Sequence, residues 1–307
     1  MFSVRVPAST ANLGPGFDAL ALALSIYNYL EVELRPAGTP LEITIQGQGA
    51  GELPLDEANL AFQALKKAFD YKKQALPALS LKLINNIPIA RGLGSSAAAT
   101  VGGLLAAQQL LDVPLSQEEI LALALELEGH PDNISAALLG GLVISCGSGE
   151  KTHYLKTRFP DSLKLVVAVP EFKLSTQQAR EILPKTLSRE QAVFNLSRTA
   201  LLTAGFLTDD LSLLSVALED KLHQPYRSSL VPGMPAVFEA AQKAGALGVA
   251  LSGAGPSVIA FAQDNLTAIG RAMKRAFKDH GVAAQTIITT PAVKGAEVLA
   301  ELCQCLA

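Results

Sequence analysis

A chain of 307 residues of which 49% are hydrophobic is long enough to bury a large core and to divide it between two domains. Its 25 basic and 28 acidic residues leave a net charge of −3 with no long run of either sign, which removes the electrostatic case for nucleic acid or an anionic membrane as partner. No apolar stretch reaches the ~18 residues of a spanning helix, no basic-then-apolar leader opens the chain, and three cysteines form no disulfide framework, so a cytoplasmic setting is the expectation.

Residues 2 to 6 read as a strand that stops at Pro7, and residues 8 to 18 as a loop. The Gly14-Pro15-Gly16 bend sets an amide, Asn12, and a carboxylate, Asp18, on either side, where they can face one space; a plain connection is the simpler reading. Leu30, Val32 and Leu34 alternate with Tyr29, Glu31 and Glu33, which predicts strand within 20–34, and a further strand fits 41–46. The run Gly47-Gln-Gly-Ala-Gly51 is a loop and not a dinucleotide fingerprint, because its third glycine is misplaced and Pro54 stands where a helix should run. A helix is expected from about Glu57 to Lys73, with Asn59 in its first turn.

Leu79, Leu81 and Leu83 form the next half-buried strand, and Ala97 to Leu111 a long helix. Between them, Pro88-Ile-Ala-Arg-Gly-Leu-Gly-Ser-Ser96 aims a glycine loop at a helix N-terminus, where unpartnered N–H groups and the positive end of the dipole receive a phosphate. A turn with serine as helix cap is the plainer alternative, and no Lys-Ser/Thr pair follows to make the usual P-loop. Ser116-Gln-Glu-Glu119 is a capping box that opens a helix running to Glu128 and ending at Gly129. Glu126, Glu128, His130, Asp132 and Asn133 then crowd one helix end, where acidic groups need a cation or solvent. With Ser95 and Ser96 they offer the oxygen ligands from which Mg²⁺ sites are made.

Residues 141–146 and 163–169 read as buried strands on either side of a polar, hairpin-like segment, with a domain transition between 150 and 165. Helices are expected at 176–183, 188–206, 210–222, 235–244 and 266–280, and strands at 247–252, 257–262 and 284–290, a mixed α+β half. Thr176 and Arg180 stand four apart on one helix face, and Arg227 closes His223-Gln-Pro-Tyr-Arg227. Solvent is the ordinary place for a lone arginine, whereas a guanidinium fork also suits a carboxylate. Leu251-Ser-Gly-Ala-Gly-Pro-Ser257 is a glycine loop between two strands, and Cys303-Gln-Cys305, without a second Cys/His cluster, reads as tail rather than metal site.

The run from Pro88 to Ala98 closely resembles the phosphate loop of the GHMP small-molecule kinases, and Leu251–Ser257 resembles their third motif. Within that family, Pro7-Ala-Ser-Thr-Ala-Asn-Leu-Gly-Pro-Gly-Phe-Asp18, Glu128-Gly-His130-Pro-Asp-Asn133, Ser175-Thr-Gln-Gln-Ala-Arg180 and His223-Gln-Pro-Tyr-Arg227 resemble segments of homoserine kinases, although many of these space the Glu-Gly and the His more widely. The resemblance implies a two-domain α+β GHMP kinase fold, with a ribosomal-protein-S5-domain-2-like domain over 1–155, a ferredoxin-like domain over 156–307 and the site in the cleft between them. It implies ATP on Asn59, Pro88, Ile89, Ala90, Arg91, Gly92, Leu93, Gly94, Ser95, Ser96, Ala97 and Ala98, and Mg²⁺ on Ser96 and Glu128 with Glu126 in reserve.

It further implies an amino-acid substrate on Asn12, Asp18, His130, Asn133, Arg180, Arg227 and Gly253, with Asn133, Thr176 and Ser96 at the chemistry. Asn133 stands where some of the family use an aspartate base, so it would orient the alcohol, and Asp132 is the competing base. A carboxylate for an ammonium, two arginines for a carboxylate and amides for a hydroxyl together match L-homoserine, where mevalonate lacks the ammonium and galactose any charge. The expected reaction is ATP-dependent formation of O-phospho-L-homoserine, on the route to threonine, by a homodimer.

Overall fold

The computed structural model describes residues 1–148 and 151–300; the Cys303/Cys305 tail and part of the loop at 147–150 lie outside the described residues. The first sheet is built from β1 (Phe2–Ala11), β2 (Leu20–Leu34) and β3 (Glu42–Gly47), then, after helix α1 (Leu60–Lys72), from β4 (Leu79–Asn85). Helices α2 (Ser95–Leu110), α3 (Gln117–Glu128) and α4 (Pro131–Leu139) follow, and the hairpin β5 (Leu142–Ser148) and β6 (Lys151–Thr157) completes this half. The long β2 has three partners, pairing with β1 along most of its length, with β4 through Tyr29–Leu34 and with β5 through Leu20–Leu22. β3 and β4 run parallel, and the other pairs of this sheet are antiparallel.

β1 does not stop at Pro7. It continues to Ala11, paired first with Tyr27 and, after a register shift at Pro7/Ala8, with Leu24 to Ala21. A proline has no N–H for the ladder and is tolerated where a bulge interrupts it, so Pro7 marks a bulge and not an end. The small residues Ala8, Ser9, Thr10 and Ala11 look like loop by composition, yet all four are buried, because only small side chains fit where the glycine loop of residues 88–94 lies across them.

The second half contributes β7 (Lys164–Pro170), α5 (Thr176–Glu181), α6 (Arg189–Thr208), α7 (Leu214–Ala217), α8 (Gln224–Arg227), α9 (Met234–Lys243), β8 (Gly248–Leu251), β9 (Val258–Ala262), α10 (Leu266–Asp279) and β10 (Ala284–Thr289). Its four strands form an antiparallel sheet in the order β10-β7-β9-β8. Val166 and Ala168 face α9 and α10, whereas Leu165 and Val167 face the core shared with Phe159, Leu202 and Phe206. Burial on both faces explains why these strands are continuous apolar runs. The chain then returns to the first sheet, where β11 (Glu297–Leu299) pairs with β1.

The helix expected over 210–222 shrinks to Leu214–Ala217. The Asp210 carboxylate captures the N–H of Ser212, and Asp220 accepts the N–H groups of Leu222, His223 and Gln224. Side-chain capture of backbone donors competes with the helical ladder at both ends of the segment. The same Asp220 turn launches α8, which carries Arg227 inward.

Candidate active site

Three separated segments interlock at one point. The glycine loop before α2 lies over the end of β1, Ser9 donating its N–H to Leu93 O (3.1 Å), and the loop of Ser252 to Ser257 closes against both. Ser252 Oγ reaches Gly92 O (2.6 Å) and Thr10 Oγ1 (2.9 Å), Gly253 N donates to Ala11 O (3.0 Å), and Asn12 Nδ2 donates to Gly253 O (2.8 Å). A Cβ on Gly92 would fall 2.1 Å from Ser252 O and one on Gly94 2.0 Å from Ser9 Oγ, and both residues hold a positive φ, so only glycine fits either position.

Gly94 caps α2 without a side chain, and no acidic residue occupies the first turn. Among the described residues, the N–H groups of Ser95, Ser96 and Ala97 find no protein acceptor, which leaves a positive, unsatisfied helix end open to an anion. Ala98 differs from its neighbours: its N–H already serves Gly94 O (2.9 Å) and its side chain is buried in the core, so it cannot reach a ligand.

One cleft of about 530 Å³ is lined by this loop and by every candidate residue except Ala98 and the reserve acid Glu126. Arg91 commits its guanidinium to the carbonyls of Pro170 (2.7 Å), Ile89 (3.0 Å) and Glu171, where it fastens the loop to the end of β7. Burial lowers its pKa. Asn59 is the cap of α1, its Oδ1 accepting from Ala61 N (3.1 Å) and its Nδ2 donating to Pro54 O (2.9 Å), and it is buried at the cleft wall rather than exposed.

Glu128, at the C-terminal end of α3, accepts a hydrogen bond from Ser96 Oγ and another from Thr100 Oγ1 at 3.0 Å. Thr100 drew no notice in the sequence, although it lies one helical turn beyond Ser96 on the same face of α2. Glu126 faces away, paired with Lys67 at 2.7 Å and largely exposed. Among the described residues no group of three or more His, Cys, Asp or Glu forms a cage. One carboxylate beside a hydroxyl at an anion-ready helix end fits the preference of Mg²⁺ for a few protein oxygens, with phosphate oxygens and water as its other usual ligands.

Pro131 opens α4 and sets three polar side chains at its start. The buried Asp132 Oδ1 receives His130 Nδ1 (2.9 Å) and the Asn133 N–H (2.7 Å). Burial pulls the His130 pKa down, but the hydrogen bond and charge of Asp132 outweigh it and the net direction is upward. Asn133 Oδ1 accepts from Ser9 Oγ at 2.8 Å.

Across the cleft, Arg180 of α5 meets Asp18 in a two-pronged ion pair, which raises the arginine pKa chiefly through the hydrogen bond. Asn12 Oδ1 accepts the Asp18 N–H (3.0 Å), and both residues sit at positive φ, Asn12 at 70° and Asp18 at 54°. Such backbone is costly for non-glycine residues and is held here by the surrounding bonds. Thr176, the first residue of α5, is exposed at the cleft rim.

Arg227 is the opposite of a surface arginine: it is 1% exposed and held by Ala179 O (2.9 Å), Gly253 O (3.1 Å) and His223 Nδ1 (3.2 Å). Burial, and then the charge of Arg180, pull its pKa down to about 10, so it remains a cation at neutral pH. His223 donates through Nε2 to Gly14 O (2.7 Å), and burial pulls its pKa down to about 4, which fixes a neutral ring whose Nδ1 is the acceptor for Arg227. Phe17 packs against His223 with ring centroids 5.3 Å apart and lies 5.4 Å from the Arg180 guanidinium.

Residues 59–141 match the GHMP kinases N terminal domain and residues 202–279 the GHMP kinases C terminal domain. A homoserine kinase of Carboxydothermus hydrogenoformans is 49% identical over 296 residues, 96% of each chain, and one of Moorella thermoacetica is 47% identical over 96% of this chain and 99% of its own. The crystal structure of homoserine kinase from Cytophaga hutchinsonii superposes with a TM-score of 0.88 at 32% identity, covering 97% of both chains. A crystal structure of mevalonate kinase, at 16% identity and a TM-score of 0.69, shares the fold. The chain belongs to the homoserine kinases, and its two sheets with their helices are the two-domain α+β fold of the GHMP kinases.

Proposed function

We propose that this chain transfers the γ-phosphoryl group of ATP to the side-chain hydroxyl of L-homoserine, giving ADP and O-phospho-L-homoserine, a cytoplasmic step on the route to threonine. The observation that carries the reading is one cleft with an uncapped helix N-terminus on one wall and a carboxylate with two guanidinium groups on the other. The first wall suits a polyphosphate and the second an amino-acid zwitterion.

In this reading the N–H groups of Ser95, Ser96 and Ala97 hold phosphate oxygens, while Pro88 to Gly94 and Asn59 shape the nucleotide side. Ser96 and Glu128 would hold Mg²⁺, which supplies charge neutralisation on the phosphates. Arg180 and Arg227 bind the substrate carboxylate, Asp18 with Asn12 and Gly253 the ammonium end, and His130, Asn133 and Thr176 the hydroxyl end. Phosphoryl transfer depends mainly on alignment and charge stabilisation, so these positioning groups suffice without a strong base. The nucleotide groups come from the domain at 1–155, whereas the amino acid is held between that domain, through Asn12, Asp18, His130 and Asn133, and the domain at 156–307, through Thr176, Arg180, Arg227 and Gly253.

ADP release with Mg-ATP against homoserine, serine, threonine, mevalonate and galactose, beside a control without acceptor, tests the assignment. Homoserine should stand well above the rest; mevalonate or galactose turnover would overturn it. The expected assembly is a homodimer, for which α6 leaves Val193, Leu196 and Leu207 exposed along one face, and sedimentation of the purified chain decides it.

A further inference from the structure

Ser9 has no surface: its residue is fully buried in β1, its Oγ lies 2.8 Å from Asn133 Oδ1 and its N–H is tied to Leu93 O in the phosphate loop. Gly94 leaves room for that hydroxyl and for nothing more, since a Cβ there would come within 2.0 Å of it and 3.2 Å of Asn133 Oδ1. The hydroxyl is therefore wedged between the phosphate loop and the amide that stands at the acceptor end of the cleft.

Which way that amide points follows from its other neighbour. Asp132 Oδ1 lies 3.2 Å from Asn133 Nδ2 and already accepts the Asn133 backbone N–H. An ionised carboxylate oxygen only accepts, so the amide nitrogen must face Asp132 and the amide oxygen must face Ser9. Ser9 is then the donor, and the amide oxygen is held toward the protein by that bond. The remaining Nδ2 hydrogen has no protein acceptor among the described residues, while Asn133 lines the cleft.

We propose that Ser9 is a positioning residue for phosphoryl transfer: it locks the Asn133 amide with its oxygen turned to Ser9, so that the group offered to the acceptor alcohol is an Nδ2 hydrogen. The inference rests on the kinase reading given above. An N–H donated to the alcohol oxygen holds that oxygen in place and leaves its own O–H free to point elsewhere. As the alcohol oxygen forms its bond to the γ-phosphorus and the bond from that phosphorus to the bridging oxygen of ADP breaks, the alcohol proton passes to a phosphoryl oxygen or to water, because an amide is too weak a base to take it. The site thus aligns the nucleophile by hydrogen-bond donation without a base at this position.

The test is a double-mutant cycle with Ser9→Ala and Asn133→Ala, reading kcat, KM for homoserine and KM for ATP in each. Ser9→Ala should lower kcat by ~10-fold or more, leave KM for ATP within ~2-fold, and cost less than a further ~2-fold when Asn133 is already alanine. Ser9 serving only as a spacer beneath the phosphate loop would instead raise KM for ATP, or reduce the Asn133→Ala enzyme by the same factor as the wild type; either result overturns the proposal. Should Ser9→Ala melt below the assay temperature, Ser9→Cys, a weaker donor, should give an intermediate kcat, and wild-type turnover by it would also overturn the proposal. A wild-type enzyme inert to homoserine would sink the kinase reading instead. The side-chain ¹⁵N resonance of Asn133 still reports on Ser9 in that case: it should shift in Ser9→Ala or Ser9→Cys, and an unmoved resonance refutes the lock.

Discussion

Asp18 and Arg180, 162 residues apart, neutralise each other across the cleft, with Arg180 Nη2 2.7 Å from Asp18 Oδ1 and Nη1 3.0 Å from Oδ2. Each is the group that one end of a zwitterion would seek, and without a ligand they satisfy one another. A ligand that brings only one charge must leave the other member of the pair unpaired in a half-buried site, whereas a zwitterion replaces both partners at once. Homoserine should therefore be accepted and both its amide and its N-acetyl derivative rejected by ~10²-fold or more in kcat/KM, because each lacks one of the two charges. Arg180→Ala should raise KM for homoserine ~10-fold or more with KM for ATP unchanged. Equal turnover of the amide and the free amino acid would refute the pairing argument.

The two acids at the end of α3 are separated just as sharply. Glu128 accepts from Ser96 and Thr100, and Glu126 is taken by Lys67 on the outer face. Glu128→Gln should raise the Mg²⁺ concentration needed for half-maximal rate by ~10-fold or more, whereas Glu126→Gln should stay within ~2-fold of the parent. Titration of both variants with MgCl₂ at fixed ATP reads this directly, and the reverse ranking would move the metal to Glu126.

Asp132 carries a different expectation from a base. Its Oδ1 is already committed to His130 and to Asn133, and its burial among these donors describes a brace. Asp132→Asn should cost about 10-fold in kcat through loosened orientation, and not the ~10³-fold or more that removal of an essential base brings. A loss of the larger size, with the residual rate rising steeply with pH, would assign the proton to Asp132.

Much of this arrangement was legible in the chain. The glycine loop between a strand and a helix, the capping box at Ser116 and the cluster from Glu126 to Asn133 are local patterns, and short-range chemistry decides them. Two of the unforeseen parts are relations between distant segments, and a third is a local competition for backbone N–H groups. Small residues in β1 are indistinguishable from loop until the loop that covers them is in place, so Ser9 stayed hidden. Arg227 is singled out by its motif alone; only the fold shows that it is buried, with Ala179, His223 and Gly253 around it. The helix expected over 210–222 failed because Asp210 and Asp220 draw backbone N–H groups out of it, a competition that apolar periodicity does not register.

The buried imidazole behind Arg227 makes the last prediction one about pH. His223 has its pKa pulled from 6.5 down to about 4, first by burial, with the nearby Asp220 opposing and Arg227 adding to the effect. A depressed value means that the unfolded chain binds this proton before the folded one does, so the stability it represents is present above pH 6.5 and drains away as pH falls toward 4. His130, whose pKa is raised with Asp132 beside it, has the opposite sign: its contribution is complete below the ordinary histidine value and is lost as pH climbs through the raised one. Thermal melts between pH 8 and pH 4.5 should therefore show the wild type losing stability on acidification faster than His223→Asn, which retains an acceptor for Arg227 without a group that titrates. Over the same range His130→Asn should lose the wild type's advantage chiefly at the acidic end, since only there does the protonated ring contribute. Parallel pH curves for wild type and His223→Asn would mean that acid reaches the fold elsewhere, and that the ring is not the neutral acceptor on which Arg227 rests.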